Sequence, residues 1–174
     1  LIILVLGLGV TYSAFTSEND LIVNQEIASF IFETKQTDHI SLALSDLKPG
    51  DIITNNFSVS NNKEVDEKVN VSHVSINYQI SLSTYHFMPL TIELFKGNNE
   101  EAILVCDEST GRNDSNEVVC TTEVQNMSFK EGITDEYVIK ASFDKKYNTD
   151  EYSDLIDYID IEIKSWQKVG DQHE

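Results

Sequence analysis

The feature that most constrains this chain is an alternation of apolar and polar residues with a period of two, which recurs along much of its length. Its clearest instance sets Val74, Ile76, Tyr78, Ile80 and Leu82 against Ser75, Asn77, Gln79 and Ser81. Successive side chains of a strand point to opposite faces, so this pattern describes a strand with one buried and one wet face. A second instance sets Tyr137, Ile139, Ala141 and Phe143 against Val138, Lys140 and Ser142. A third sets Ile159, Ile161 and Ile163 against Asp160, Glu162 and Lys164, and runs on to Trp166. Val69 and Val71 stand on the opposite parity from the first instance, which predicts a β-bulge or strand bend near Ser72 and His73. Shorter strand candidates cover 27–33, 40–44, 53–59, 90–95, 102–106 and 118–124. Their separators carry turn chemistry: Lys48-Pro49-Gly50-Asp51, Asn61-Asn62, Lys96-Gly97-Asn98-Asn99 and Glu131-Gly132. Eight or nine short strands of this kind predict an all-β fold, an antiparallel β-sandwich of jelly-roll or immunoglobulin-like type. One short connector helix is expected over 149–156, with Thr149 as N-cap and Asp150 and Glu151 in its first turn.

Ahead of these strands, residues 1–10 (LIILVLGLGV) are apolar and are followed by Thr11-Tyr12-Ser13-Ala14. An apolar run of this length ending in small residues reads as the core and cleavage region of a secretory signal, with the cut near Ala14 and Phe15. It falls short of the roughly 20 apolar residues that cross a bilayer, so no stable membrane insertion is expected after cleavage. Retention as an anchor is the alternative. The organisation that follows is a signal at 1–14, an N-terminal segment at 15–25, a sandwich domain at 26–169 and a polar tail at 170–174. Export implies an oxidising compartment, where Cys106 and Cys120, bracketing thirteen residues, are expected to form a disulfide. Closing a loop of that size stabilises the fold by roughly 3 kcal/mol in the chain-entropy picture. Free thiols or half of a metal site are the competing readings, although no CxxC occurs and no His lies beside either cysteine.

Charge narrows the partners. Thirty acidic residues against twelve basic ones leave a formal net charge of -18, which repels phosphate backbones and anionic lipid. Nucleic acid is therefore not an expected partner, whereas cations and basic peptides are compatible. His39, His73, His86 and His173 are widely spaced, without the HExxH pattern of a zinc protease helix. GxSxG, P-loop and GxGxxG patterns are also missing. The loop 107–118 offers Asp107, Ser109, Asp114 and Glu117, but Arg112 stands where an EF-hand needs Gly and Val118 where it needs Glu. No catalytic residue, cofactor or metal is assigned, and a surface calcium site of some other pattern stays as an alternative.

Two stretches stand out: GVTYSAF followed by HISLALSDLKPGD and ITNNFSVSN, and the ending Lys164-Ser165-Trp166-Gln167. They resemble the TasA and camelysin family of exported biofilm-matrix proteins of Gram-positive bacteria. The resemblance implies a signal removed by a SipW-type signal peptidase and a turn built from Leu47, Lys48, Pro49, Gly50 and Asp51. In that turn Pro49 presets φ, Gly50 tolerates positive φ and Asp51 accepts backbone N–H groups. It also implies a secreted or cell-surface protein that self-assembles, or joins related matrix subunits, by strand addition. Residues 15–25 would be the donor. A monomeric secreted binding module using the Cys106–Cys120 loop is the competing function. A metallopeptidase, the label borne by the camelysin branch, is a third reading without a zinc motif behind it.

Overall fold

The computed structural model describes residues 33–34, 39–44, 47–147, 152 and 157–168. They form twelve strands: β1 Glu33–Thr34, β2 His39–Leu44, β3 Ile52–Ser60, β4 Asn62–Val65, β5 Lys68–Val71, β6 Ile76–Thr84, β7 Leu90–Lys96, β8 Leu104–Cys106, β9 Val118–Thr121, β10 Gln125–Met127, β11 Thr134–Phe143 and β12 Asp157–Gln167. The expected signal at 1–14, its cleavage site at Ala14 and Phe15, the segment 15–25 and the tail 170–174 lie outside the described residues. So does the expected connector helix, apart from Tyr152. Among the described residues, Lys145–Tyr147 form a 3₁₀ turn, and Tyr152 has the same conformation.

Two antiparallel sheets face each other. One has the order β1-β3-β11-β7-β8; the other runs β10-β6-β12-β2, with β9 also on β6. Leaving aside the small β1 and the β4–β5 hairpin, the chain crosses from one sheet to the other between β2 and β3, β3 and β6, β6 and β7, β8 and β9, β10 and β11, and β11 and β12. That interleaving is jelly-roll topology, which decides between the two sandwich types the sequence allowed. The alternation follows the sheets closely. β6 buries Ile76, Tyr78, Ile80, Leu82 and Thr84 in turn, and β11 buries Tyr137, Ile139, Ala141 and Phe143. Their inward faces meet those of β7 and β12 in one apolar core.

The parity slip at Ser72 and His73 has a different origin from the expected bulge. Val69 and Val71 belong to β5, which pairs only with β4 in a separate two-stranded hairpin, and the chain turns before β6 begins. Asp66 and Glu67 at its tip adopt φ of 51° and 62°, the left-handed pair of a tight hairpin turn. A bulge does occur elsewhere. From Ser81↔Thr121 to Tyr78↔Gln125, β6 advances three residues while its neighbour advances four. Thr122 fills this step: its N–H donates to the Ile80 carbonyl at 2.9 Å and its hydroxyl accepts the Ile80 N–H at 3.1 Å. The expected strand at 118–124 is thus the first half of a broken edge strand that continues as β10.

Asn61, expected in a simple turn, is instead a buried junction. Its Nδ2 donates to the carbonyls of Ser128 and Glu131, and its Oδ1 accepts the Ile133 N–H at 2.6 Å. Its backbone joins Ile133 and Ser72. A buried amide with every group paired fixes the ends of β3, β5 and β11 relative to one another.

Candidate functional site

The flanks of the sandwich differ, and the difference starts with which residues end each sheet. On one flank β8 closes the first sheet and β9 with β10 closes the second. Cys106 of β8 and Cys120 of β9 are both inward-facing and buried, and they are joined by a disulfide with a Cα–Cα distance of 6.1 Å. The bridge therefore staples sheet to sheet at an edge, in addition to closing its own loop. A buried disulfide is compatible with an oxidising, extracellular compartment.

The loop it closes, 107–119, is internally organised. Asp107 accepts the Ser109 N–H and hydroxyl, while Asn113 accepts the N–H groups of Ser115 and Glu117. The Ser109 hydroxyl and amide hold the Asp107 carboxyl below the usual range. Arg112 donates to the Asn116 carbonyl within the loop and reaches out of it to the carbonyls of Tyr85 and His86. It thereby fixes the 85–89 segment, which buried Asp157 also holds through Thr84 Oγ1 and the Met88 N–H. At this end Tyr85 and Phe87 stack at 5.5 Å, 42% and 53% exposed. Among the described residues no group of three or more His, Cys, Asp or Glu converges on a common point. No helix among them is long and apolar enough to cross a membrane.

The other flank is made by β3 and β2. β11 pairs with β3 along nearly its whole length, but on the outer side of β3 only Val59 and Ser60 have a partner among the described residues, namely β1. The ladder alternation shows what that edge presents. Asp51 accepts from the Phe143 N–H and Asn61 donates to the Ile133 carbonyl, so the odd residues of this stretch bond towards β11. The backbone groups of Ile52, Thr54, Asn56 and Ser58 therefore point outward. Asn56 bears this out, for its N–H is taken by the side chain of neighbouring Asn55 at 2.7 Å. Inward of this edge, Ile53 and Asn55 line a narrow cleft with Leu44, Ile139, Ala141 and Ile159, between the two sheets. Ile52 beside it is 59% exposed.

The Leu47–Asp51 turn leads into this edge. Asp51 N–H donates to the Lys48 carbonyl at 2.9 Å and the Asp51 carboxylate accepts the Lys48 N–H at 2.8 Å. Gly50 has φ of +102°, and a Cβ there would lie 2.8 Å from the Lys145 side chain. Leu47 packs against the core and Gly50 N–H donates to the Phe143 carbonyl, so the turn sets where β3 starts against β11.

A polar cluster lies at the opposite end of the core, and single-sequence reading passed over it. Tyr78 on β6 donates to Asp135 Oδ2, and Tyr137 on β11 meets the Tyr78 hydroxyl at 2.5 Å. Since the Tyr78 proton goes to Asp135, Tyr137 is the donor in that second bond. Lys96 at the end of β7 lies 2.8 Å from Asp135 Oδ2 and donates to Gln125 Oε1 on β10 at 3.2 Å. Burial pushes the Tyr78 hydroxyl far up from its ordinary range, with the neighbouring Tyr137 and Asp135 adding to it. Burial likewise raises Tyr137. The signal was parity: Lys96 continues the inward series Leu90, Ile92, Leu94, and Asp135 continues Tyr137, Ile139, Ala141.

Comparison of the chain with protein-family models, curated proteins and solved structures finds no match. The reading of what it does rests on its own residues and on the motifs quoted above.

Proposed function

We propose that the chain is an exported, non-enzymatic subunit of the cell surface or extracellular matrix of a Gram-positive bacterium, assembling by strand addition. The observation that carries this reading is the outer edge of β3, where the main-chain groups of Ile52, Thr54, Asn56 and Ser58 point away from β11 beside an apolar cleft. An extended segment laid there completes the ladder and covers the cleft with alternate side chains. Residues 15–25, freed by cleavage before Phe15, supply the donor to a neighbouring subunit. Related matrix subunits are the alternative source of that strand. The test compares the chain beginning at Phe15 with one lacking residues 15–25, by electron microscopy and sedimentation. Filaments from the first and monomers from the second are expected; equal polymerisation by both overturns the reading.

One observation favours a second reading, a monomeric secreted binding module. Tyr85 and Phe87 present a stacked aromatic pair beside the stapled loop, fixed by Arg112 and Asp157. A chain that stays monomeric from Phe15 onward and binds surface polymers through Phe87 would replace the first reading with this one.

A further inference from the structure

Lys96, Gln125 and Asp135 come from three strands and meet at one point. Each continues the inward parity of its strand, so the three tips converge between the sheets at the end remote from the disulfide. Lys96 Nζ has the Gln125 carbonyl oxygen at 3.2 Å and Asp135 Oδ2 at 2.8 Å. The Gln125 amide is turned so that its carbonyl faces the amine, because Nε2 is engaged by the Glu123 carbonyl at 3.3 Å. The Tyr78 and Tyr137 rings stand 6.0 and 5.9 Å from Lys96 Nζ. Lys96 and Asp135 keep only 28% and 16% of their side-chain surface exposed. An amine, an amide carbonyl and a carboxylate held in contact on a rigid frame are the components of amide exchange, and fixed proximity is what makes so slow a reaction practicable.

We propose that Lys96 and Gln125 form an isopeptide cross-link between the two sheets, with Asp135 carrying the proton. Asp135 takes one proton from the Lys96 ammonium, and the neutral Nζ attacks Cδ of Gln125. The Nζ–Cδ bond forms, Asp135 passes its proton to Nε2, and the Cδ–Nε2 bond breaks. Ammonia departs and takes up the remaining proton from Nζ as ammonium. Nothing is oxidised or reduced, and Asp135 returns to its carboxylate form. The hydrogen bond from Tyr78 keeps Oδ2 aimed into the cluster throughout. The product joins β7 of one sheet to β10 of the other and closes a loop with a sequence separation of 29. This inference is independent of strand addition, because the three residues lie within one subunit.

The experiment is mass analysis of the purified full chain after reduction, followed by digestion with trypsin. The expected result is a chain lighter than its sequence by about 17 Da, the mass of one ammonia, together with a branched peptide joining Lys96 to Gln125 and no cleavage after Lys96. Lys96→Arg and Asp135→Asn are each expected to restore the full mass. A wild-type chain with its full sequence mass and normal cleavage at Lys96 overturns the proposal, and that readout does not depend on whether either variant folds.

Discussion

The tyrosine pair is where single side chains most constrain the interior. Tyr78 and Tyr137 are completely buried, yet both hydroxyls are paired, through each other and Asp135, so no polar atom is stranded. Their neutral forms are favoured by burial, which raises both above the ordinary tyrosine range. Folding stability from this source is fully present below the unfolded tyrosine value, near 10. It is lost as pH rises above that value, because the unfolded chain releases these protons first. An alkaline titration should therefore show tyrosinate absorbance rising in two phases, the second coinciding with loss of the β-sheet circular dichroism. A single phase completed before unfolding contradicts the assignment. Asp157 is likewise buried with its carboxyl paired, accepting from the Thr84 hydroxyl and from the Met88 and Tyr158 N–H groups.

Among the elements, β3 is the one whose two sides do different things. Odd residues bond inward to β11, whereas even residues face the outer side of β3, where among the described residues only Val59 and Ser60 are paired. Proline removes one N–H, so its effect depends on parity. Thr54→Pro is expected to leave the fold intact while abolishing filament growth. Ile53→Pro, which removes a ladder bond to β11 and leaves its partner carbonyl unpaired, should cost about 1–3 kcal/mol and destabilise the fold. Circular dichroism and sedimentation on both variants check this; Thr54→Pro filaments of normal length would exclude this edge from assembly. The strands themselves were largely legible, because β6, β11 and β12 alternate without interruption over long stretches. The β4–β5 hairpin was not. It buries little on either face, so Val69 and Val71 carry no strong parity and read as an extension of the next strand. The break at Thr122 was also hidden, since a bulge whose side chain substitutes for a ladder bond leaves the apolar pattern nearly unchanged. Lys96 and Asp135 could be placed inward from sequence, but their meeting with Gln125 depends on the pairing of three strands distant in the chain.

At the scale of the whole molecule the Cys106–Cys120 bridge matters more for where it lies than for the loop it closes. Replacing both cysteines with serine is expected to lower stability by about 3 kcal/mol, with urea denaturation as the measurement. A change within error would show that the β8 and β9 edges hold together by packing alone. The bridge also orders how the sandwich can move. With one flank pinned by the bridge, motion between the sheets is expected to be greatest on the β2 and β3 side. Backbone amides near the staple should exchange with deuterium slowly and together, whereas those of the outer β3 edge exchange through frequent small openings. A spine on one flank is thus expected to keep the strand addition proposed at the other a local event, without the core having to come apart.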